Sequence, residues 1–152
     1  MKLTIYTDYS LRVLLYLASK PEGTATISEI TEYYNISRNH LVKVVHNLGI
    51  HEFIITSRGK NGGIRLARPA EEILLSDVVK KTEPDMDLLE CFNPKTDFCV
   101  ISPTCRLKSM LYEGRSAFMA VLEKNTLADA VKPVVRAGSG NPVLVDVSQL
   151  KR

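Results

Sequence analysis

Cys91, Cys99 and Cys105 are the three cysteines of this chain, and all fall within one proline-punctuated stretch of 15 residues. Seven residues separate the first two and five the last two. Thiolates are soft ligands that select zinc, copper(I) or iron–sulfur clusters. Structural zinc wants four protein ligands, usually in close pairs about two to four residues apart. These gaps are wider, and no histidine follows His51. An iron–sulfur cluster also takes four ligands, so a fourth would come from elsewhere, another chain included. Metal-free redox thiols, or cysteines that only fill apolar space, are the alternatives. Disulfides explain them poorly, because three cannot all pair within one chain and the N-terminus carries no secretory pattern.

The other chemistry-bearing residues are basic. Net charge is +3, yet Arg38, Lys43, Arg58, Lys60, Arg65 and Arg68 lie between positions 36 and 68 against the single acid Glu52. Residues 71 to 90 reverse the sign, with seven acids against two lysines. A basic module is followed by an acidic one. Ser37, Arg38, Asn39 and His40 would share a first helical turn, where side chains reach base edges and the helix N-terminus attracts phosphate. Lys43, one turn on, would reach the nucleic-acid backbone. In the loop from Arg58 to Gly63, Gly59, Gly62 and Gly63 allow close approach to phosphates, Arg58 and Lys60 supply charge, and Asn61 suits a minor groove. The plainer alternative is a solvated helix face beside an ordinary hairpin.

Positioning these residues requires elements that the apolar spacing supplies. Thr7 and Asp8 offer a cap and a first-turn carboxylate for a helix over about 8–19, carried by Leu11, Leu14, Leu15 and Ala18 and stopped near Pro21 and Gly23. Thr26 with Glu29 has capping-box spacing for a second helix. After a very short connection at Asn35 and Ile36, Ser37 can cap a third helix with Leu41, Val44, Val45 and Leu48 inward and Gly49 as its stop. Two helices joined by a tight turn, the second polar and basic, have the layout of a helix-turn-helix. Phe53 to Ser57 and Ile64 to Leu66 flank the glycine-rich loop as the hairpin of a wing. A helix over 71–81 follows. Periodicity then disappears from Glu83 to Thr104, and a loop of that length needs something to hold it. Leu107, Leu111, Gly114, Phe118 and Val121 mark a long helix with a seam suited to another helix. Thr126 and Asp129 open a last short helix.

Four segments together resemble the bacterial winged-helix iron–sulfur regulators, and within them the nitric-oxide-sensitive repressors. They are LTIYTDYSLRVLLYLA, ISRNHLVKVVHNLG, SRGKNGGIRLARP and ECFNPKTDFCVISPTCRLK, across residues 3 to about 132. The resemblance implies cluster ligation by Cys91, Cys99 and Cys105, with Asp8 of the partner subunit as fourth ligand. On the residues alone, Asp8 reads as a carboxylate on the helix dipole. The resemblance also implies dimerisation through the long helix and operator contact by the third helix and wing. The iron–sulfur-assembly branch uses a histidine three residues after its third cysteine. Here that position is Lys108, whose ammonium cannot ligate, which favours the nitric-oxide-sensing branch.

The expectation is therefore a mainly α protein with a small β-hairpin. Residues 1–82 form a winged helix-turn-helix domain, 83–105 a cluster-binding loop, 106–132 a dimerisation helix with a short C-terminal helix, and 133–152 a tail. Its partners are double-stranded operator DNA and a second copy, with nitric oxide as signal, a 4Fe–4S cluster preferred over 2Fe–2S, a cytoplasmic location and no membrane. Nothing pairs a nucleophile with a base, so no enzyme is expected. The rivals are an iron–sulfur-assembly, zinc or thiol regulator of the same fold, and an iron–sulfur redox protein.

Overall fold

The computed structural model describes residues 2–20, 23–59 and 62–132. Lys60 and Asn61, the stop at Pro21 and the 133–152 tail lie outside the described residues. Helix α1 spans Ile5–Ser19. It starts earlier than Thr7 suggests, because Thr4 is the cap: its hydroxyl accepts from the Thr7 amide at 3.2 Å. Glu83 holds that cap, accepting from the Thr4 amide at 2.7 Å and from its hydroxyl at 3.0 Å. A carboxylate 79 positions away thus decides where α1 begins, and Thr7 is buried inside the helix.

Strand β1 (Thr24–Ala25) leads into α2 (Ile27–Tyr34), whose Thr26 and Glu29 form the capping box that their spacing announces. Asn35 closes α2 at φ 52°, a left-handed turn that asparagine tolerates, and Ile36 drops into the core. Helix α3 (Arg38–Ile50) follows at once. Gly49 does not stop it. The chain turns at Glu52, φ 57°, where the Phe53 amide returns to the Leu48 carbonyl at 3.0 Å and buries the Phe53 ring.

β2 (Ile54–Ser57) and β3 (Gly63–Leu66) form the expected hairpin, but the antiparallel sheet has three strands in the order β1-β3-β2. β1 is only two residues long, so no alternation announces it. Gly63 makes its approach possible: a Cβ there would lie 2.7 Å from Thr24 Cγ2 and 2.9 Å from the Ala25 carbonyl oxygen. The helix expected over 71–81 is divided. A 3-10 turn at Ala70–Glu72 precedes extended Ile73 and Leu74, and α4 runs Leu75–Thr82. The break lets Ile73 accept the Leu127 amide at 2.8 Å and lets the Leu75 amide reach Asn125 at 3.0 Å.

Beyond α4 the irregular stretch carries 3-10 turns at Glu90–Phe92 and Ser102–Thr104. α5 spans Arg106–Glu123 and α6 spans Leu127–Val131. One core unites Val13, Leu14, Leu17, Ile30, Leu41, Val44, Leu48, Phe53, Ile64, Ile73, Val78 and Leu127. α1 lies at its middle, against α3, α4, α6 and β3. Each fully buried aliphatic side chain contributes about 1.5–3 kcal/mol of transfer free energy, so the core anchors α3 firmly. α5 differs. It packs along α4, yet none of its 18 residues is buried.

Candidate nucleic-acid interface and cysteine loop

Leu41, Val44, Val45 and Leu48 bind α3 to the core, which leaves Ser37, Arg38, Asn39, His40 and Lys43 exposed on its outer face. Ser37 occupies the cap position but its side chain bonds no first-turn amide. Those donors stay open to an anion. The Arg38 guanidinium donates to the Ser28 hydroxyl at 2.8 Å, which aims it across the start of both helices of the turn. Two α1 tyrosines touch α3: the Tyr6 hydroxyl donates to the Lys43 carbonyl at 3.1 Å, and the Tyr9 and His40 rings stand 6.3 Å apart. Sequence reading missed Ser28, Tyr6 and Tyr9, because nothing local ties them to α3.

In the wing, Arg58 and Gly59 are exposed, Gly59 at φ 107°. The Gly62 amide closes the tip on the Gly59 carbonyl at 2.9 Å, and a Cβ at Gly62 would collide with the Ser57 carbonyl. The glycines shape the turn as well as opening it. Arg65 adds an exposed cation on β3.

Besides Glu83 on the Thr4 cap, the loop from Glu83 to Thr104 is held at two further points. Phe92 is buried and stacks on Tyr112 of α5, ring centroids 4.6 Å apart and planes 15° from parallel. The Arg115 guanidinium covers both rings, at 5.1 and 4.2 Å, and pairs with Asp87 at 3.5 Å. That stack seats the turn carrying Cys91. The second point is Asp97. One carboxylate oxygen accepts the Cys99 amide at 3.2 Å; the other accepts the Ser102 hydroxyl, and Lys108 Nζ at 2.9 Å. Lys108 also donates to Ser102 at 2.6 Å. Hydrogen bonds from Ser102 and Lys108 hold Asp97 below the usual carboxylate range, and the bond to Asp97 raises Lys108. Both are charged at neutral pH.

All three thiols are unpaired: Cys99 is exposed, Cys91 and Cys105 half-buried. Cys105 caps α5, its sulfur accepting the Lys108 amide at 3.4 Å. No three His, Cys, Asp or Glu side chains among the described residues gather around one ion, so Asp8 and the cysteines do not form a single site within the chain. Asp8 sits half-buried in the first turn of α1, bound by Arg12 through both oxygens at 3.0 and 2.9 Å. Among the described residues no helix is long and apolar enough to cross a membrane.

Comparison with known proteins accords with this layout. Residues 3–133 match the model of the Rrf2 family, described as iron-dependent transcriptional regulators. The HTH-type transcriptional regulator NsrR of Bacillus subtilis is 51% identical over 133 residues, covering 87% of this chain and 91% of that protein. NsrR of Shouchella clausii is 50% identical over 132 residues, 86% and 89% of the two chains. Among solved structures, the oxidised form of Staphylococcus aureus CymR superposes with a TM-score of 0.70 at 27% identity, covering 90% of this chain and 100% of that one. T. potens IscR, at 24% identity and a TM-score of 0.67 over 86% and 85%, shares the fold. These relatives are regulators rather than enzymes, and their winged-helix architecture is the one built here by α2, α3 and the sheet. The chain belongs to the Rrf2 family of transcriptional regulators.

Proposed function

We propose that this chain is a nitric-oxide-responsive repressor that grips operator DNA as a homodimer and holds an iron–sulfur cluster on Cys91, Cys99 and Cys105, with Asp8 of the partner subunit as fourth ligand. The observation that carries the reading is the loop itself: three unpaired thiols on a segment anchored to α5, a helix with no buried residue. Three thiols within 15 residues suit a multi-iron group, in which each thiolate binds a different iron. Half-identity over most of the chain to regulators named NsrR supports nitric oxide as the signal, and a 4Fe–4S centre rests on the resemblance of the cysteine segment.

The cluster, when bound, supplies irons that take up nitric oxide. The chain's residues do the rest. Asp8 leaves the Arg12 pair to ligate in trans, so α1 is tied to the neighbouring subunit. Because Tyr6 and Tyr9 of α1 touch α3, that tie sets where the two α3 helices stand. They must meet successive major grooves about 34 to 36 Å apart. Release of Asp8 lets that carboxylate pair again with Arg12 on its own helix and uncouples one half-site.

Protein purified without oxygen should be coloured, carry iron, retard operator DNA in a gel, and release it on addition of nitric oxide. Colourless, iron-free protein with undiminished operator binding would sink the cluster; zinc in its place would favour a zinc regulator of the same fold.

A further inference from the structure

The Asp97–Ser102–Lys108 network stands out because it spans the ligand loop rather than decorating it. Most surface ion pairs contribute little. Lys80–Glu123, with side chains 50% and 51% exposed, is one of that kind, whereas Lys108 and Asp97 are only 24% and 18% exposed. Ser102 between them is buried. Asp97 takes the backbone amide of Cys99, and Lys108 follows Cys105 by one helical turn with its own amide on the Cys105 sulfur. A single carboxylate therefore connects the backbone beside one thiol to the helix that starts at another.

We infer that Asp97 and Lys108 are positioning residues for Cys99 and Cys105: their pair, closed through Ser102, shapes residues 97–108 for the cluster before it arrives. The inference rests on the reading that these cysteines hold a cluster. Groups that orient ligands in this way make the bound state harder to dismantle, because a ligand that lets go stays in place to rebind. Lys108 is then neither a ligand nor a spectator.

The test uses the full chain, as the dimer, in wild-type, Lys108→Met, Lys108→Arg and Asp97→Asn forms. Cluster-loaded protein is challenged with an iron chelator without oxygen, and hydrogen exchange is followed in cluster-free protein. Loss of an outer-shell partner of a metal ligand weakens a site by about 10- to 100-fold. Iron loss should accelerate by that order in Lys108→Met and Asp97→Asn, with Lys108→Arg closer to wild type. Exchange at the Cys99 amide should rise in the same two variants while α1 to α4 keep their protection. Wild-type iron loss together with unchanged Cys99 exchange in Lys108→Met would overturn the inference. So would exchange that rises along the whole chain, since that is general destabilisation. If wild-type protein takes up no iron, the cluster reading fails, and the exchange experiment alone still decides whether the clamp orders the loop.

Discussion

At the scale of single residues, two side chains carry most of the functional argument. Asp8 has a sufficient local explanation, a first-turn carboxylate paired with Arg12 at i,i+4, worth about 0.3–0.5 kcal/mol on an exposed helix. Little stability is lost if it is released to a metal. Asp8→Ala should therefore fold normally and keep cysteine-held iron, with altered visible absorbance and weaker coupling of the cluster to DNA, whereas Cys99→Ala should lose the cluster. Anaerobic spectra and operator affinities before and after nitric oxide check this; a wild-type spectrum and response in Asp8→Ala would make it a helix residue only. On the proposed reading Arg38, held by Ser28, contacts guanine, and Arg38→Ala should relax base preference by about 1–3 kcal/mol at one position. Competition binding across operator variants measures it, and a uniform loss on all sequences would assign Arg38 to phosphate.

At the scale of elements, α5 packs along α4 without burying any of its residues. The stripe expected from sequence divides between two faces. Lys108, Leu111, Arg115, Phe118 and Leu122 are partly covered, while Leu107, Met110, Gly114, Ala117 and Val121 repeat at three and four residues on the exposed side. Leu107, Met110 and Val121 are 59%, 55% and 60% exposed. Such a narrow apolar stripe buries little unless a second helix covers it. Met110→Glu with Val121→Glu should give folded monomers by light scattering, whereas Leu111 or Phe118 substitutions should cost stability first. α6 offers a different test. Hydrogen bonds from Lys132 and from Thr126 push the Asp129 carboxyl well below its usual range. A depressed value means the stabilisation is complete above about pH 4 and is lost as pH falls through the folded value. Asp129→Asn should flatten that acid limb in protection of the Leu127 amide, measured by hydrogen exchange.

At the scale of the molecule, the proposed function requires a loop seated on α5 to act on α3 through the elements between them. On the proposed reading α1 is common to both ends, since it carries the proposed ligand Asp8 and, one residue to one side and two to the other, Tyr9 and Tyr6, which touch α3. Tyr6→Phe removes one hydrogen bond, so stability should fall by no more than about 1.5 kcal/mol. The ratio of operator affinities with and without the cluster should shrink more than that loss explains. Denaturant titration and anaerobic gel shifts give the two numbers, and an unchanged ratio would route the coupling elsewhere.

Much of this was legible in the residues. Capping at Thr26 and Thr126, the inward stripe of α3, the glycine-rich wing and the grouping of the cysteines are local or periodic, and each follows from backbone chemistry within one or two turns. What the tertiary structure decided is long-range. The start of α1 depends on Glu83, the third strand on a glycine that admits Thr24, and the break before α4 on hydrogen bonds to residues 125–127. The same holds at the candidate sites: Ser28 behind Arg38, Tyr6 beneath Lys43, and Asp97 with Lys108 around the thiols. Sequence spacing reports which groups share a helix face or a turn, but a partner across the fold has no local signature, and only the closed core brings it within hydrogen-bonding distance.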